Sequence, residues 1–484
     1  MCAEIADAIE QRVTPMGGGE PYTWSRKGMP YPKDQDLFCR KDDGFRGMWY
    51  GCTKVPNEYV YKYSGGLGTY CAKHRSLAVR SREVGRTYFV WGGTSPEGHT
   101  LEHTQWGPRR LWHMISYYDH ATGNVKRPTI LLDKWTGDCH DNPVMSMDPQ
   151  GYIYVFSPSH GKSTGPSYIH KSVEPYSIDR FETVATTLFA YPQPWYQPGR
   201  GFVMMHTQYK NWQRWLAVTR SEDGVNWGPS EFIAHIEKGQ YQVSNSNGAR
   251  VVTAFNYHPD HMGLERRSNL YVMASDDMGR TWRTLDGREI QVPLTKSDNP
   301  ALVVDSESQK RLVYLKDLTF DREGNPVALY ITSNGHVSGP QNDPRIWTVS
   351  HWTGAEWVHH EITRSDNNYD MGSLYIEDDG TWRLIAPTET GPQAFNPGGE
   401  MAMWTSDDAG ATWRKARQMT HDSPRNHTYA RRPVDAHPDF YAYWADGHGR
   451  QPSVSRLYFA NRRGDVFRLP MGMTGEFARP ERVE

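Results

Sequence analysis

Short apolar and aromatic runs, bounded by turn-forming residues, recur along the whole chain. Seven of them are rich in valine, isoleucine, tyrosine, phenylalanine and tryptophan, a composition typical of half-buried or buried strands. They are RTYFVWGG (86–93), YIYVFSP (152–158), GFVMMHTQY (201–209), RVVTAFNYH (250–258), RLVYLKDL (311–318), WRLIAPT (382–388) and DFYAYWAD (439–446). The recurrence predicts an all-β protein built from units of roughly 50 residues.

A more polar run precedes each of these strands. These runs are GTYCAKHRSLAV (68–79), CHDNPVMSM (139–147), YPQPWYQPG (191–199), GQYQVSNSN (239–247), NPALVVD (299–305), NNYDMGSLYI (367–376) and RNHTYARRPV (425–434). The pairs predict a seven-bladed β-propeller of four-stranded antiparallel blades, whose polar first strands line a central funnel. Residues 1–40 are expected to form an N-terminal arm and 41–484 a single catalytic propeller. A β-sandwich with a second domain is the alternative, and it explains the sevenfold recurrence less well.

One short phrase occurs three times, as SDDMGRTW (275–282), SDDAGATW (406–413) and, one residue shorter, SEDGVNW (221–227). Each copy follows a run with strand character. Its Ser and Asp side chains can bond nearby amides, its Gly can take a positive φ, and its Trp can pack over the turn. The phrase resembles the Asp-box, the turn between the third and fourth strands of a blade in sialidase-like β-propellers. It predicts the fold and leaves the chemistry open.

Composition agrees with many short strands. Hydrophobic residues make up 37% of the chain and aromatic residues 13%, while 44 Gly and 32 Pro supply the turns. A formal net charge of −2 argues against a nucleic-acid partner. The five cysteines include no CxxC pair, which argues against a disulfide framework or a zinc finger.

The chain as written shows no signal peptide and no apolar segment of the length of a membrane span. We therefore expect a cytoplasmic monomer with no membrane partner, or a secreted or periplasmic protein if an N-terminal signal has been trimmed.

Polar residues are concentrated where the predicted first strands enter the funnel. Two histidines, His120 in MISYYDHATG and His140 in CHDNP, lie twenty residues apart on adjacent predicted blades. Such a pair could exchange protons near neutral pH, although either histidine alone could be structural. A second group ends the third and fourth blades, where HTQYKNWQR and FNYHPDHMGLERR hold Tyr209, Arg214 and Arg267. No GxSxG, phosphate loop or HExxH is present.

The motifs GFRGMWY, YKYSGGLGTYCAKH, MISYYDHATG, RPTILLDK, HDNP, YPQPWY, GQYQVS and TAFNYHP resemble a BNR-repeat propeller group. This group contains ulvan lyases and L-rhamnose-α-1,4-D-glucuronate lyases, with an α-L-rhamnosidase family as a close relative. The resemblance covers about residues 41–470. It implies cleavage of a (rhamnosyl-)glucuronate linkage by β-elimination on the anterior face, with two histidines, a tyrosine and an arginine.

Carried onto this sequence, the resemblance implies catalytic roles for His120, His140, Tyr209 and Arg267. His140 would neutralise the carboxylate or act as the base, with His120 as its partner. Tyr209 would move the proton, and Arg267 would clamp the carboxylate. Tyr191 is the rival for the tyrosine position and Arg214 for the arginine position.

Several further residues are expected to contact a uronate-containing oligosaccharide or polysaccharide. They are Arg214, Tyr191, Gln193, Tyr241, Tyr257, His258, Asn142 and Trp195. The chemistry requires no cofactor. The resemblance implies a structural calcium or zinc ion, for which His74, Cys139 and His437 are weak candidates because no ligand spacing supports them.

Two other functions stay open. A glycoside hydrolase on the same propeller, either an α-L-rhamnosidase or a sialidase-like enzyme, would use a different site. The related rhamnosidases use a posterior histidine, and GMWYGCTKVPNEY, where it should fall, contains none. A non-catalytic sugar-binding propeller would turn over no substrate.

Overall fold

The computed structural model describes residues 10–16, 21–25, 38–96, 98, 111–161, 165–210 and 213–483. Nearly all regular structure there is β-strand, and Cys139–Asp141 and Pro340–Asn342 form single 3₁₀ turns. Of the predicted N-terminal arm, residues 1–9, 17–20 and 26–37 lie outside the described residues. Across the described ranges, no helix has the length and apolar character needed to cross a membrane.

Two small hairpins and one extended sheet begin the chain. The hairpins pair β1 (Glu10–Val13) with β2 (Tyr22–Ser25) and β4 (Trp49–Lys54) with β5 (Tyr61–Gly66). The first sheet contains β3 (Arg40–Lys41), β6 (Ala78–Ser81), β7 (Arg86–Gly93), β8 (Trp112–Asp119), β9 (Asn124–Lys126) and β10 (Thr129–Asp133).

Six more antiparallel sheets follow in chain order. The second holds β11 (Val144–Met147), β12 (Ile153–Ser157), β13 (Ser167–Ser172) and β14 (Phe181–Thr187). The third holds β15 (Ala190–Gln197), β16 (Gly201–Lys210), β17 (Gln213–Ser221) and β18 (Glu231–Ala234). The fourth holds β19 (Gln242–Ser246), β20 (Val251–Tyr257), β21 (Ser268–Ser275), β22 (Trp282–Arg283), β23 (Glu289–Ile290) and β24 (Leu302–Val304).

The last three sheets have the same meander. The fifth holds β25 (Leu312–Phe320), β26 (Pro326–Ser333), β27 (Arg345–Trp352) and β28 (Trp357–Ser365). The sixth holds β29 (Ser373–Ile376), β30 (Trp382–Glu389), β31 (Glu400–Ser406) and β32 (Arg414–Gln418). The seventh holds β33 (Asn426–Arg431), β34 (Ala442–Gly447), β35 (Leu457–Ala460), β36 (Val466–Arg468) and β38 (Glu481–Arg482), while β37 (Phe477–Ala478) pairs with β9.

The sheets close into a β-propeller, which confirms the predicted all-β propeller fold. First strands of successive sheets contact one another, as β11 does β15 and β15 does β19. The last sheet returns to the first, where the Val434 amide donates to Ala78 O at 2.9 Å and the Arg80 amide donates to Val434 O at 3.0 Å. The polar starts of the first strands are thereby gathered around one axis.

One predicted strand pair is wrong. NPALVVD was expected to be a first strand, but β24 pairs with β21, at the edge of the preceding sheet. The run RLVYLKDL, expected to be a second strand, forms β25 and is itself a first strand. The run is mostly apolar and therefore resembles a second strand, but it contains Lys316 and Asp317, which are both buried near the axis.

The recurrent phrase forms the predicted turn between third and fourth strands. Between β21 and β22, the Gly279 amide donates to Ser275 Oγ at 2.7 Å, and Asp277 accepts from two backbone amides. Gly279 has a φ of +80°, which disfavours any side chain there. Equivalent bonds form in 406–413 and 221–227. Ser221 and Ser275 end the third strands at whose starts Arg214 and Arg267 lie, and seven strand residues span about 23 Å. These turns therefore stabilise the sheets.

Candidate functional site

Aromatic and charged side chains from several sheets converge at one end of the axis. Tyrosines from the third to seventh sheets are buried there: Tyr191, Tyr241, Tyr314, Tyr369 and Tyr429. We call the charged and titratable group beside them the axial cluster. It comprises Lys73, Asp138, His140, His160, Tyr191, Tyr209, Arg214, Tyr241 and Arg267.

One carboxylate joins two histidines in this cluster. Asp138 is fully buried, and its two oxygens accept from His140 Nδ1 and, at 2.8 Å, from His160 Nδ1. It also caps the 3₁₀ turn by accepting from the His140 amide at 3.0 Å. The two imidazoles stack with ring centroids 4.1 Å apart. The turn and the shared carboxylate therefore fix both rings and leave their Nε2 atoms pointing away from Asp138.

The two histidines hold their protons differently. Burial lowers the pKa of His140 to about 4, although Asp138 favours its charged form. Burial acts on His160 in the same direction, but Tyr209 and Asp138 outweigh it and raise that pKa to about 10. His160 is thus an imidazolium at neutral pH, whereas His140 is neutral.

The outer nitrogens of the pair are in contact with tyrosine hydroxyls. His140 Nε2 lies 2.8 Å from the Tyr63 hydroxyl and 2.9 Å from the Tyr70 hydroxyl. Because Nδ1 donates to Asp138, Nε2 of neutral His140 is an acceptor for them. His160 Nε2 lies 3.1 Å from the Tyr191 hydroxyl, to which the imidazolium donates.

Three cations surround Tyr241. Lys73 Nζ lies 4.1 Å from the centroid of its ring, Arg267 Cζ 4.7 Å and Arg214 Cζ 5.3 Å. Burial would raise the pKa of Tyr241, but Arg214, Lys73 and Arg267 together lower it to about 7. Burial lowers the pKa of Lys73 to about 8. The site thus concentrates positive charge around an ionisable phenol.

Tyr209 and Arg214 are opposite each other on β16 and β17. Arg214 Cζ lies 5.6 Å from the Tyr209 ring centroid, and the Tyr209 ring lies 6.0 Å from that of His160. The Tyr209 hydroxyl is buried without a hydrogen bond of good geometry. Both side chains therefore border the same space as Tyr241.

Similarity to known proteins identifies the family of this chain. The profile described as "BNR repeat-containing family member" matches residues 70–365, more than half of the chain. The chain belongs to the BNR repeat-containing family. The resemblance expected from the motifs is thereby confirmed.

Two ulvan lyases are among the proteins that are similar in sequence to this BNR-repeat chain. One, of Nonlabens ulvanivorans, is 22% identical over 355 residues, covering 63% of this chain and 71% of the relative. The other, of Alteromonas sp. (strain LOR), is 19% identical over 369 residues, covering 67% and 74%.

Two solved structures have the same fold. A PL25 ulvan lyase superimposes with a TM-score of 0.65 at 15% identity, covering 87% of this chain and 96% of that one. A structure of a PL25 ulvan lyase bound to -[GlcA(1-4)Rha3S]- gives the same TM-score and coverage at 16% identity.

The BNR-repeat fold places His120 away from the axial cluster, which corrects its predicted pairing with His140. His120 Nε2 lies 2.8 Å from Thr87 Oγ1, and its ring centroid lies 3.7 Å from that of His437. At one end of β8, His113 pairs with Gly92, which lies against Asn142, two residues from His140. His120 follows the other end of β8, and the seven strand residues between the two histidines span about 23 Å. The histidine that meets His140 is His160, which is also twenty residues away.

The other predicted residues separate into two sets. Tyr191, Tyr209, Arg214, Tyr241 and Arg267 belong to the axial cluster, and the ring of His258 lies 4.9 Å from that of Tyr241. The remaining four, Asn142, Gln193, Trp195 and Tyr257, are buried and make structural hydrogen bonds, so the structure does not support their predicted contact with the substrate. Asn142 and Gln193 are fully buried and bonded to backbone, Trp195 bonds Ser244, and Tyr257 bonds Glu307.

The three candidate metal ligands do not meet. His74 Nδ1 lies beside Tyr70 O at 3.3 Å, whereas His437 stacks on His120. Cys139 lies close enough to Asp138 and His140 for one ion to contact all three. However, both Asp138 oxygens are already bonded to imidazoles. The predicted set therefore does not fit a structural ion.

Residues that sequence reasoning missed are Lys73, Asp138 and His160. His160 ends the run YIYVFSPSH, three residues past β12, and shares the twenty-residue interval with His140. Asp138 directly precedes the CHDNP motif. The position of His160 just after a second strand is the signal that points to it.

Proposed function

We propose that this protein is a polysaccharide lyase that cleaves a uronate-containing glycan by β-elimination within the axial cluster. The observation that carries the proposal is Tyr241, held among Lys73, Arg214 and Arg267. A uronate brings one carboxylate and one weakly acidic C5 proton, and this group offers cations for the first and a base for the second.

The reaction begins at C5 of the uronate. The Tyr241 phenolate takes the C5 proton, and the electron pair of that bond forms the C4=C5 double bond. Negative charge that develops on the carboxylate during this step is stabilised by the guanidinium groups of Arg267 and Arg214, which can bind it in a bidentate manner. The low pKa of Tyr241 makes the base available near neutral pH.

Breaking the C4–O4 bond requires a proton for the departing oxygen. His160 is the donor, because its imidazolium carries a Nε2–H directed to the Tyr191 hydroxyl at 3.1 Å. Tyr191 can relay this proton to O4 and recover it from His160. The products are a 4,5-unsaturated uronate and a sugar with a free hydroxyl, so protons and electrons balance.

His140 has a positioning role in this scheme. Its Nδ1 is used by Asp138 and its Nε2 by the Tyr63 and Tyr70 hydroxyls, which leaves no ring nitrogen for the substrate. It keeps Asp138 ionised and stacks against His160. This differs from the role of base or carboxylate neutraliser expected from the resemblance.

The substrate we propose is a rhamnosyl-glucuronate linkage. Support comes from the ulvan lyases among the relatives and from the similar lyase bound to -[GlcA(1-4)Rha3S]-. We also propose that the seven sheets of four or more strands are the seven blades of one propeller, with the axial cluster on its anterior face.

Product analysis tests the reaction class. The protein is incubated with ulvan and with a rhamnosyl-(1→4)-glucuronate oligosaccharide, and products are examined by ultraviolet absorbance and mass spectrometry. We expect unsaturated uronates that lack one water relative to hydrolysis products, and their loss in Arg267→Gln. Saturated products would identify a hydrolase, and glycan binding without turnover would identify a sugar-binding propeller.

A further inference from the structure

A second polar cavity lies at the opposite end of the first strands. It has a volume of about 200 Å³, and its lining includes Arg75, Arg431, Arg432, Asn245, Ser373 and Trp195. None of the described residues that line it is a histidine. Its chemistry therefore differs from that of the axial cluster.

The strand geometry separates the two sites. Along β15, Tyr191 belongs to the axial cluster and Trp195 lines the cavity; Tyr241 and Asn245 have the same relationship along the fourth sheet. Four residues of extended chain span at most about 13 Å. The cavity thus lies toward the other end of the first strands from the axial cluster.

Positive charge in this cavity exceeds negative charge. Asp317 is fully buried and lies 2.5 Å from Arg75 and 3.5 Å from Arg432. Arg431 donates to the carbonyl oxygens of Cys71 and His74 and has no carboxylate among these bonds. One buried carboxylate therefore faces three guanidinium groups.

The acid at the rim does not restore the balance. Asp435 lies 2.5 Å from exposed Arg82 and 3.8 Å from half-buried Arg80, so these two arginines already neutralise it. Burial, and then a neighbouring guanidinium, lower the pKa of Arg431 to about 10. Burying like charges together costs free energy that a bound anion would recover.

Arg432 has unused hydrogen-bonding capacity. Its Nη2 reaches Asp317 at 3.5 Å and Leu318 O at 3.4 Å, both at the long limit for a hydrogen bond. Its Nε is buried without a partner. A guanidinium in this state can turn toward an oxyanion and bind it with two parallel N–H groups.

We propose that this cavity binds an oxyanion, either a carboxylate or a sulfate group, with Arg432 as its principal contact. Sulfate esters and uronate carboxylates of a glycan share this chemistry with free sulfate. The site would hold an anionic ligand at the opposite end of the first strands from the axial cluster, and it does not depend on the proposed lyase reaction.

Calorimetric titration of the full chain tests the site. The probes are sodium sulfate and sodium glucuronate, at an ionic strength held constant with chloride. Arg432→Gln removes the charge at a partly exposed position, and Arg414→Gln is the matched control, because Arg414 is an exposed arginine paired with Asp407. We expect binding of sulfate that is at least tenfold weaker in Arg432→Gln and unchanged in Arg414→Gln.

Crystals grown with selenate provide a second readout that needs no variant. An anomalous peak between Arg75 and Arg432 is expected. Binding of glucuronate that depends on Arg432 would identify a glycan carboxylate as the ligand, whereas binding of sulfate alone would identify a small or ester oxyanion. Sulfate affinity unaffected by Arg432→Gln, or selenate found elsewhere and not in this cavity, would overturn the proposal.

Discussion

His140 and His160 stack with ring centroids 4.1 Å apart, and the single carboxylate of Asp138 accepts from both. Two stacked imidazolium rings would repel each other. The arrangement therefore favours one imidazolium and one neutral imidazole. The pKa shifts place it on His160. The pair therefore supplies one proton donor and one fixed neutral neighbour.

Replacing His160 should affect the reaction far more than replacing His120. His160→Ala removes the proposed acid and should lower kcat by roughly 100-fold or more. His120→Ala is the matched control, since its contacts are Thr87 and His437. Steady-state kinetics on a uronate-containing glycan measures both. An equal loss of kcat in the two variants would show that His120 also takes part in the reaction.

Asp138→Asn should separate the two histidines electronically without removing either ring. The amide cannot stabilise an imidazolium as the carboxylate does, so the pKa of His160 should fall. Nitrogen NMR of labelled histidine follows that pKa directly, and circular dichroism checks the fold. A His160 pKa that stays near 10 in the variant would contradict the role we give Asp138.

The pH dependence of kcat/KM should be bell-shaped. Tyr241 must be ionised to act as a base, so activity should fall about tenfold per pH unit below its pKa of about 7. Above a pH of about 8, Lys73 loses its proton and the cationic surroundings weaken. In Arg214→Gln the acidic limb should move to higher pH, because Arg214 is the largest charge that lowers the Tyr241 pKa. An acidic limb that does not move would exclude Tyr241 as its source.

The recurrent turns should matter for stability and not for chemistry. Asp277→Ala removes bonds to the Arg280 and Thr281 amides and to the Thr281 hydroxyl. The free energy of unfolding should fall by about 1–2 kcal/mol, as measured by urea denaturation. Activity per folded molecule should stay unchanged. A selective loss of kcat would show that this turn contributes to the site.

Local sequence patterns were enough to predict most of the fold. Apolar runs such as 86–93 and 382–388 became second strands, because burial on both faces needs little information beyond the run itself. The prediction of the fifth sheet was wrong because Leu312–Phe320 is apolar in composition, like a second strand, but is a first strand next to the axis. Local sequence does not tell an inner strand from its neighbour when its polar residues are few.

The site was predictable only in part for a related reason. Tyr209, Tyr241 and Arg267 were expected near the axis, and the structure brings them there. Predicting which histidine meets His140 required knowing which end of β8 lies near the axial cluster. That depends on the direction of the strand within the ring of sheets, which the sequence does not show. Two pairs of histidines are twenty residues apart, His120 with His140 and His140 with His160. The structure brings together the second pair.

The most direct test of the account compares Tyr241→Phe with Tyr209→Phe. Both variants remove one hydroxyl from the axial cluster and keep the ring. The rate of formation of unsaturated uronate is followed by ultraviolet absorbance, and glycan binding is measured separately by calorimetry. We predict that Tyr241→Phe binds the glycan but loses at least about 100-fold in rate, while Tyr209→Phe loses less. Full activity in Tyr241→Phe would contradict the central claim that this phenol is the base.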